Sequence, residues 1–236
     1  MLSVTLLNHV PLWVCAHAVR TCWESHGMSD TTAAMAVHDE CGPKDRALID
    51  KVGNKFKHAS TLEHLYYNFF FEDFSRAVLQ ELARHRIASP SVKSTRYTLK
   101  ELKTEASFTT FCIGEEKAFI SSELGSYSEY TVDRASKYLV WTGDPDVDAA
   151  SIAALENLRK LVAMGKPNDV SKYALPDAYK TKATWSCNAR SLQNFISLRT
   201  DKAALWEIRN LANAVFNALP EDHRYLFEHC LYKEKD

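Results

Sequence analysis

The residues best suited to chemistry lie in one stretch, which runs from Arg84-His85-Arg86 to Ser94 and beyond. Six lysines and arginines fall between residues 84 and 103, together with His85 and against a single carboxylate, Glu101. Guanidinium, ammonium and hydroxyl groups are the donors that hold phosphate in proteins. The stretch therefore predicts a site for a small phosphate-bearing anion. The alternative is that these cations only complement the negative end of a helix.

Two distant segments carry polar side chains that such a site could use. His58 and Ser60 precede an aromatic run at 65–71. Arg190 and Asn194 are four residues apart on a predicted helix over 189–199, so they share a face, whereas Arg199 points roughly the opposite way. One helix could thus offer side chains to two ligands. The alternative for the first segment is a polar loop capped by a hydroxyl side chain. The alternative for the second is an ordinary amphipathic helix with solvated arginines.

Composition and motifs exclude several familiar functions. The chain has 236 residues, with 29 basic and 30 acidic side chains, and a net charge of −1 argues against a general nucleic-acid binder. There is no GxGxxG, GxxxxGK[ST], GxSxG or HExxH pattern, and the six cysteines form no metal-ligand cluster. No segment approaches the ~20 apolar residues of a membrane span. We expect a reduced, cytoplasmic protein without a metal, a membrane partner or a nucleic-acid partner.

The elements that position these residues follow from periodicity and helix-breaking residues. The pattern predicts an α+β fold with a mixed or antiparallel sheet packed with long helices, no Rossmann turn, and one domain over 1–236. Asp73 is the expected N-cap of a helix whose last turn carries the Arg84-His85-Arg86 triplet. The predicted strands are 2–8, 65–71, 95–99, 106–113 and 183–187. The predicted helices are 11–24, 46–52, 148–164, 169–174, 189–199, 203–219 and 220–232, with an irregular excursion over 25–46.

These segments resemble the flavin-dependent thymidylate synthases. Arg84-His85-Arg86, seven residues and Ser94 fit the RHR-x7-S signature of that family. Residues 188–199, NARSLQNFISLR, are similar to its NARxLxNFxxLR segment. His58 and Ser60 stand where the family has a histidine followed two residues later by Ser or Thr.

The resemblance implies a reaction and its participants. The family methylates dUMP to dTMP with 5,10-methylenetetrahydrofolate as carbon donor and FAD as cofactor, and NADPH reduces the flavin. It also implies a homotetramer with sites shared between subunits, and no enzyme thiol that attacks the pyrimidine. Two alternatives stay open: another flavin-dependent oxidoreductase acting on a small anion, and a non-enzymatic nucleotide- or RNA-binding module.

The resemblance also assigns roles to residues. Arg199 is the implied catalytic residue, because an arginine there can stabilise charge on the pyrimidine. The implied flavin-binding residues are His58, Ser60, Arg84, His85, Arg86, Val92, Asn188, Ala189, Arg190 and Asn194. The implied dUMP-binding residues are Glu81, Arg84, Val92, Lys93, Ser94, Thr95, Arg96, Lys172 and Arg199.

The chain departs from the common family pattern at three points. Ser91-Val92 replaces Asn-Glu, so an acidic side chain near the ligands is lost. Glu81 replaces a frequent Gln, which places a carboxylate near a phosphate unless Arg84 or His85 neutralises it. Lys172 replaces a frequent Arg and can neutralise phosphate without gripping it bidentately.

Overall fold

The computed structural model describes residues 2–109 and 122–234 and has an α+β fold. Its four-stranded antiparallel sheet, the one sheet within the described ranges, has the order β1-β2-β4-β3. Strands β1 and β2 pair from Ser3 opposite Glu72 to His9 opposite Tyr67, with an irregularity between Leu6 and Asn8. The predicted fold class is therefore confirmed. The strands are β1 (Ser3–His9), β2 (Tyr66–Ser75), β3 (Ser89–Val92) and β4 (Lys180–Asn188).

Helices and single helical turns make up most of the remaining described chain. No helix in these ranges is long and apolar enough to cross a membrane. The α-helices are α1 (Leu12–Cys22), α2 (Ala33–Val37), α3 (Pro43–Ile49), α4 (Arg76–Leu82), α5 (Thr95–Thr98), α6 (Glu129–Ser136), α7 (Pro145–Ala163), α8 (Asn168–Ser171), α9 (Ala189–Arg199) and α10 (Trp206–Ala218). A π-helical turn spans Asp50–Lys55, and 3₁₀ turns include Ala59–His64, Leu99–Thr104, Lys172–Ala174, Glu221–Leu226 and Glu228–Cys230.

The described chain divides into two compact units, each assembled from separate segments. Unit 1 comprises 73–80, 92–109 and 122–182, and unit 2 comprises 2–72, 81–91 and 183–234. The chain passes from one unit to the other within β2, after Gln80, within β3 and within β4. The prediction of a single domain over 1–236 stays a prediction.

Each unit has an apolar core built from the expected periodicities. In unit 2, Tyr67, Phe69 and Phe71 alternate along β2 and are fully buried, whereas Tyr66 is 46% exposed. This is the period of two that a strand imposes on its side chains. In unit 1, α7 turns Ile152, Leu155 and Leu158 inward at helical spacing.

Several predicted elements are confirmed, with small shifts at their ends. Strand 2–8, strand 65–71 and helices 11–24, 148–164 and 203–219 correspond to β1, β2, α1, α7 and α10. The predicted strand 183–187 lies within β4. Helix 189–199 coincides with α9, and the predicted short helix 169–174 corresponds to α8 followed by a 3₁₀ turn.

The helix whose expected N-cap is Asp73 begins two residues later than predicted, at Arg76. Asp73 lies in β2 with a φ of 58°, and the Ser75 hydroxyl accepts from the Val78 amide at 3.2 Å in the manner of an N-cap. The helix then ends at Leu82, because the Arg84 and His85 amides close tighter turns onto the carbonyls of residues 81 and 82. The Arg84-His85-Arg86 triplet therefore lies beyond the helix, so its prediction within the last turn was wrong.

Other predicted elements were also wrong in type or extent. Residues 95–98 are helical because the amides of residues 97 and 98 bond to the Ser94 carbonyl. The segment 220–232 forms two separate 3₁₀ turns, and the helix predicted for 46–52 starts at Pro43 and continues as the π-helical turn through Gly53. Residues 106–109 have no regular structure, and 110–113 lie outside the described residues. The sequence patterns missed α6 and β3.

Candidate functional site

Helix α9 positions the polar residues of unit 2. Asn188 is its N-cap: its side-chain oxygen accepts from the Ser191 amide at 2.8 Å, and the Ala189 amide donates to the Leu65 carbonyl at 2.8 Å. Phe195 is fully buried on the inner face of the helix, as the i, i+3, i+4 pattern requires. The first residue of α9 is thus tied to the chain just before β2, which fixes where the helix points its polar face.

A cavity of about 520 Å³ lies in unit 2 beside the start of α9. Cations and amides dominate its wall, and these are groups that donate hydrogen bonds to phosphate, hydroxyl and carbonyl oxygens. The cavity is lined by Glu63, Arg84, His85, Arg86, Ile87, Asn188, Arg190, Ser191 and Asn194. Two segments that are a hundred residues apart in sequence, the RHR and NAR motifs, therefore share one cavity.

One carboxylate interrupts this cationic lining. Glu63 forms an ion pair with Arg190, with 2.7 Å between Oε1 and Nη1. The two side chains are 45% and 56% exposed, so solvent screens the pair and it adds little stability. An anionic ligand can therefore compete with Glu63 for Arg190.

At the far end of α9, Arg199 is held by Glu81 and His85. Its Nη1 donates to Glu81 Oε2 at 2.6 Å, its Nη2 to the Glu81 carbonyl at 3.2 Å, and its Nε to His85 Nε2 at 3.0 Å. The Arg199 side chain is 13% exposed, so its charge lies in a partly desolvated setting. Within the part of the chain that the structure describes, three of the five N–H groups of the guanidinium are engaged, which leaves two to donate to a ligand.

His85 is a neutral hydrogen-bond acceptor in this arrangement. Burial, followed by the charges of Arg199 and Arg84, lowers the pKa of His85 to about 4. Because its Nε2 accepts from Arg199, the ring carries its proton on Nδ1. The ring packs edge-on against Phe195 with centroids 5.0 Å apart, which fixes its orientation.

A second cavity, of about 460 Å³, lies within unit 1. Among the described residues its lining contains neither a carboxylate nor a histidine. It is lined by Arg76, Val92, Lys93, Ser94, Thr95, Arg96, Lys172 and Tyr173. Ser94 precedes α5 without a side-chain cap, and no base adjoins its hydroxyl in this lining, which suits ligand binding better than nucleophilic attack.

The predicted residues thus fall into two groups and a remainder. Arg84, His85, Arg86, Asn188, Arg190 and Asn194 line the unit 2 cavity, and Val92, Lys93, Ser94, Thr95, Arg96 and Lys172 line the unit 1 cavity. Val92, expected at both ligands, lines only the latter. His58 and Ser60 are exposed outside both linings, and Ala189 is fully buried. Glu81 is neutralised chiefly by Arg199, with Arg84 more distant at 3.5 Å, and the neutral His85 does not contribute.

Sequence reasoning missed some of the residues that line the two cavities. These are Glu63, Ile87 and Ser191 in unit 2, and Arg76 and Tyr173 in unit 1. Glu63 could have been predicted, since it lies three residues after Ser60 in the segment that contains His58 and Ser60. Arg76 belongs to no motif of the sequence, and the expected N-cap at Asp73 placed it only in the first turn of a helix.

Comparison with known proteins gives one consistent result. The family described as "Thymidylate synthase complementing protein" matches residues 5–223. The flavin-dependent thymidylate synthases of Campylobacter jejuni and Wolinella succinogenes are 54% and 53% identical over 233 residues, 99% of this chain and 99% and 100% of theirs.

A solved structure extends the similarity to the fold. Thymidylate synthase X from Helicobacter pylori, crystallised with FAD and dUMP, has a TM-score of 0.85 and 46% identity. The match covers 99% of this chain and 100% of that one. Sequence similarity over nearly the whole chain, a shared fold and the paired RHR and NAR motifs lead to one conclusion: the chain belongs to the family of flavin-dependent thymidylate synthases.

Proposed function

We propose that this protein converts dUMP to dTMP by reductive methylation. The carbon donor is 5,10-methylenetetrahydrofolate, which leaves as tetrahydrofolate, and NADPH supplies the reducing equivalents by way of FAD. The observation that carries the proposal is the convergence of the RHR and NAR motifs on one cavity in unit 2. Full-length similarity to named flavin-dependent thymidylate synthases supports it.

The lining of the unit 2 cavity fits a flavin nucleotide. Arg84, Arg86 and Arg190 can meet a pyrophosphate through side chains, which a chain without a Rossmann turn requires. Asn188 caps α9 through its oxygen, so its amide nitrogen is left to donate. Bound FAD would supply the two electrons of the reaction.

We assign the binding of dUMP to Arg199 and to the residues of the unit 1 cavity. Arg199, with two N–H groups left, would polarise the pyrimidine and stabilise negative charge that develops on it. His85 keeps Arg199 oriented and does not add a positive charge, because its ring is neutral. The hydroxyls and cations of residues 93–96 and Lys172 would bind the phosphate and sugar of dUMP.

We further propose a homotetramer in the cytoplasm, in which sites are shared between subunits. The two groups of predicted site residues lie in separate cavities of the chain, one in each unit. A tetramer could complete each site with residues from different chains. The cytoplasmic location follows from the proposed substrate and reductant, which are metabolites of that compartment.

The decisive experiment is a dTMP-forming assay on the purified protein. We expect a yellow protein with a flavin spectrum that forms dTMP only when dUMP, NADPH and 5,10-methylenetetrahydrofolate are all present. NADPH oxidation without dTMP would instead indicate an oxidoreductase acting on another small anion. A colourless protein whose RNA affinity falls steeply with salt would indicate a binding module.

Flavin binding should depend on the cations of the unit 2 cavity. Arg86→Ala and Arg190→Ala should each weaken FAD binding by roughly ten-fold or more, because each removes a charge-assisted hydrogen bond. Equilibrium titration by flavin fluorescence at limiting FAD measures the effect. Lys202→Ala, an exposed cation of unit 2 outside the cavity lining, is the matched control. Wild-type FAD affinity in both arginine variants would contradict the assignment.

A further inference from the structure

A further cavity, of about 250 Å³, lies in unit 2 between α1 and the irregular segment that follows it. Trp13, His17 and Arg20 line it from one face of α1, at positions i, i+4 and i+7. Its other walls come from residues 26–36 and from Asp45. No described residue lines both this cavity and either of the cavities assigned to FAD and dUMP. The cavity is therefore a site without an assigned ligand.

One wall of this cavity is a buried ion pair. Arg20 and Asp45 are 6% and 1% exposed, and Asp45 Oδ1 lies 2.6 Å from Arg20 Nε and 2.5 Å from its Nη2. Asp45 Oδ2 accepts from the hydroxyls of Ser29 and Thr31 at 2.5 and 2.7 Å. Each carboxylate oxygen thus has two donors, so Asp45 needs no cation from a ligand. The same bonds hold residues 29–31 against α1, so this wall is formed before a ligand binds.

The lining also contains hydrogen-bond donors that have no acceptor in the described chain. Trp13 Nε1 is closed to solvent and has no partner there, which is rare for a buried N–H group. Arg20 uses three of its five N–H groups within the same ranges. The Thr32 hydroxyl accepts from the Met35 amide at 3.2 Å, and its own proton has no described acceptor. A ligand rich in acceptor oxygens would satisfy these groups.

Flat and apolar surfaces accompany the donors. The indole of Trp13 and the imidazoles of His17 and His26, whose ring centroids are 4.4 Å apart, offer π-faces. Ala33 and Ala36 add methyl groups from α2. The cavity volume is below the roughly 300–1,000 Å³ of sites for drug-sized ligands, so it suits one ring with one substituent.

We propose that this cavity binds a small aromatic carboxylate. The carboxylate accepts from Arg20, Thr32 and Trp13 Nε1, and the ring lies against the aromatic and alanine side chains of the lining. Trp13 as a whole is only partly buried, so a small turn of its indole can bring Nε1 to the ligand. The site is separate from the cavities assigned to FAD and dUMP, so the inference does not depend on the proposed reaction.

The test uses benzoate as the probe and the indole N–H signal of Trp13 in the NMR spectrum of the FAD-loaded protein as the readout. Because a hydrogen bond moves an N–H proton downfield, benzoate should shift this signal saturably, with a Kd on the order of 1 mM or below. The signal of the exposed Trp23 should not move. Benzamide, which lacks the charge, and cyclohexanecarboxylate, which lacks the flat ring, should each bind roughly ten-fold more weakly.

Variants of the lining test the named contacts. Thr32→Asp keeps an oxygen that can cap α2 but replaces the donor by a negative charge, so it should weaken benzoate binding at least roughly 100-fold. Ala34→Asp is the matched control, because it adds the same charge to the first turn of α2 outside the lining, and it should keep most of the affinity. Trp13→Phe keeps a ring and loses the N–H group. It should weaken binding roughly ten-fold, as measured from the line broadening of the benzoate protons.

Three results would each overturn the inference. They are the absence of a saturable Trp13 shift with benzoate, equal affinities for benzoate and benzamide, and undiminished benzoate binding in Thr32→Asp. If Thr32→Asp does not fold, the comparison of the three probes on the wild-type protein still decides the question. Every readout is a binding signal at this cavity, so a protein that forms no dTMP would leave the test intact.

Discussion

Arg199 and Lys172 are both expected to contact dUMP, but their settings differ. Arg199 is largely buried and held by three hydrogen bonds, so its remaining donors are fixed before a ligand arrives. Such preorganised donors act most strongly on charge that develops in the transition state. Lys172 follows the single turn α8, and among the described residues its ammonium group contacts only the exposed ring of Tyr173. A phosphate carries the same charge throughout the reaction.

Kinetics on variants of these two residues should therefore differ in kind. Arg199→Ala should keep FAD and lose on the order of 10²–10³ in kcat. Lys172→Ala should mainly raise KM and recover at saturating dUMP, since it removes binding common to the ground and transition states. Arg199→Lys should recover little, because the planar fork is lost. Steady-state assays of kcat and KM on the three variants test these expectations. A normal kcat in Arg199→Ala would show that Arg199 only binds the substrate.

At the level of single residues, spacing along the sequence predicted which side chains share a face of one helix. It did not predict contacts between distant segments. The positions of Arg190 and Arg199 on α9 follow from helical geometry, and the two contact different partners as that geometry requires. The bond between Arg199 and Glu81 joins residues 118 positions apart. No periodicity reports such a contact, so the partner of Glu81 was assigned to its near neighbours Arg84 and His85.

Among the elements, the π-helical turn Asp50–Lys55 depends on close packing at Gly53. A Cβ built on Gly53 would lie 2.8 Å from Leu62 Cδ2 and 2.9 Å from its Cγ. Leu62 is fully buried in the 3₁₀ turn that follows His58, so it has little room to move. The absence of a side chain at Gly53 thus lets two irregular turns of unit 2 pack together.

Gly53→Ala should destabilise the protein by about 1–3 kcal/mol, the usual cost of overpacking a well-filled core. Gly27→Ala is the matched control, because a Cβ there meets nothing within 4 Å, and it should change stability by less than about 0.5 kcal/mol. Urea unfolding of both variants measures the two free energies. Equal stability of Gly53→Ala and wild type would show that Leu62 adjusts without cost.

The same element shows why some boundaries escaped prediction. Gly53 was expected to stop a helix, because glycine is a poor helix former. In the structure the chain continues through it as a wider turn, since tertiary packing against Leu62 outweighs local propensity. The long helices α1, α7, α9 and α10 and the strands β1 and β2 were predictable because their burial repeats over several turns or residues.

For the whole molecule, a buried histidine links stability to pH. His223 is 1% exposed, and its Nδ1 lies 2.8 Å from the Tyr67 hydroxyl. Burial, followed by the charges of His9 and Arg46, lowers the pKa of His223 to about 3. An unfolded histidine titrates near 6.5, so the unfolded state binds more protons between these values. Protonation therefore favours unfolding across this range.

The unfolding free energy should rise as pH increases from about 4.5 to 6.5 and level off above it. The slope from one histidine reaches at most about 1.4 kcal/mol per pH unit, and His85, whose pKa is also lowered, adds to it. His223→Gln should flatten the slope, whereas His38→Gln, an exposed control, should not. Urea unfolding at several pH values tests this. An unchanged slope in His223→Gln would contradict the prediction.

Shared sites in an oligomer would allow complementation between inactive chains. Arg86→Ala removes a residue proposed to bind flavin, and Arg199→Ala removes the proposed catalytic residue. Mixed after dissociation and reassociation, the two variants should recover part of the wild-type dTMP-forming activity, because some sites in hybrid oligomers would be intact. Each variant treated alone is the control. A fully active monomer in dilute solution would contradict the shared-site arrangement.

The division of the chain into interleaved segments has a consequence for synthesis on the ribosome. Unit 1 is encoded within residues 73–182, whereas unit 2 needs residues from both ends of the chain. Strand β1 packs against α10, which emerges from the ribosome some two hundred residues later. The apolar side chains of β1 and β2 therefore stay exposed to solvent until translation is almost complete. Such exposed surfaces bind chaperones and promote aggregation. We expect a chain that ends before α10 to be insoluble, even though it keeps both the RHR and the NAR motif.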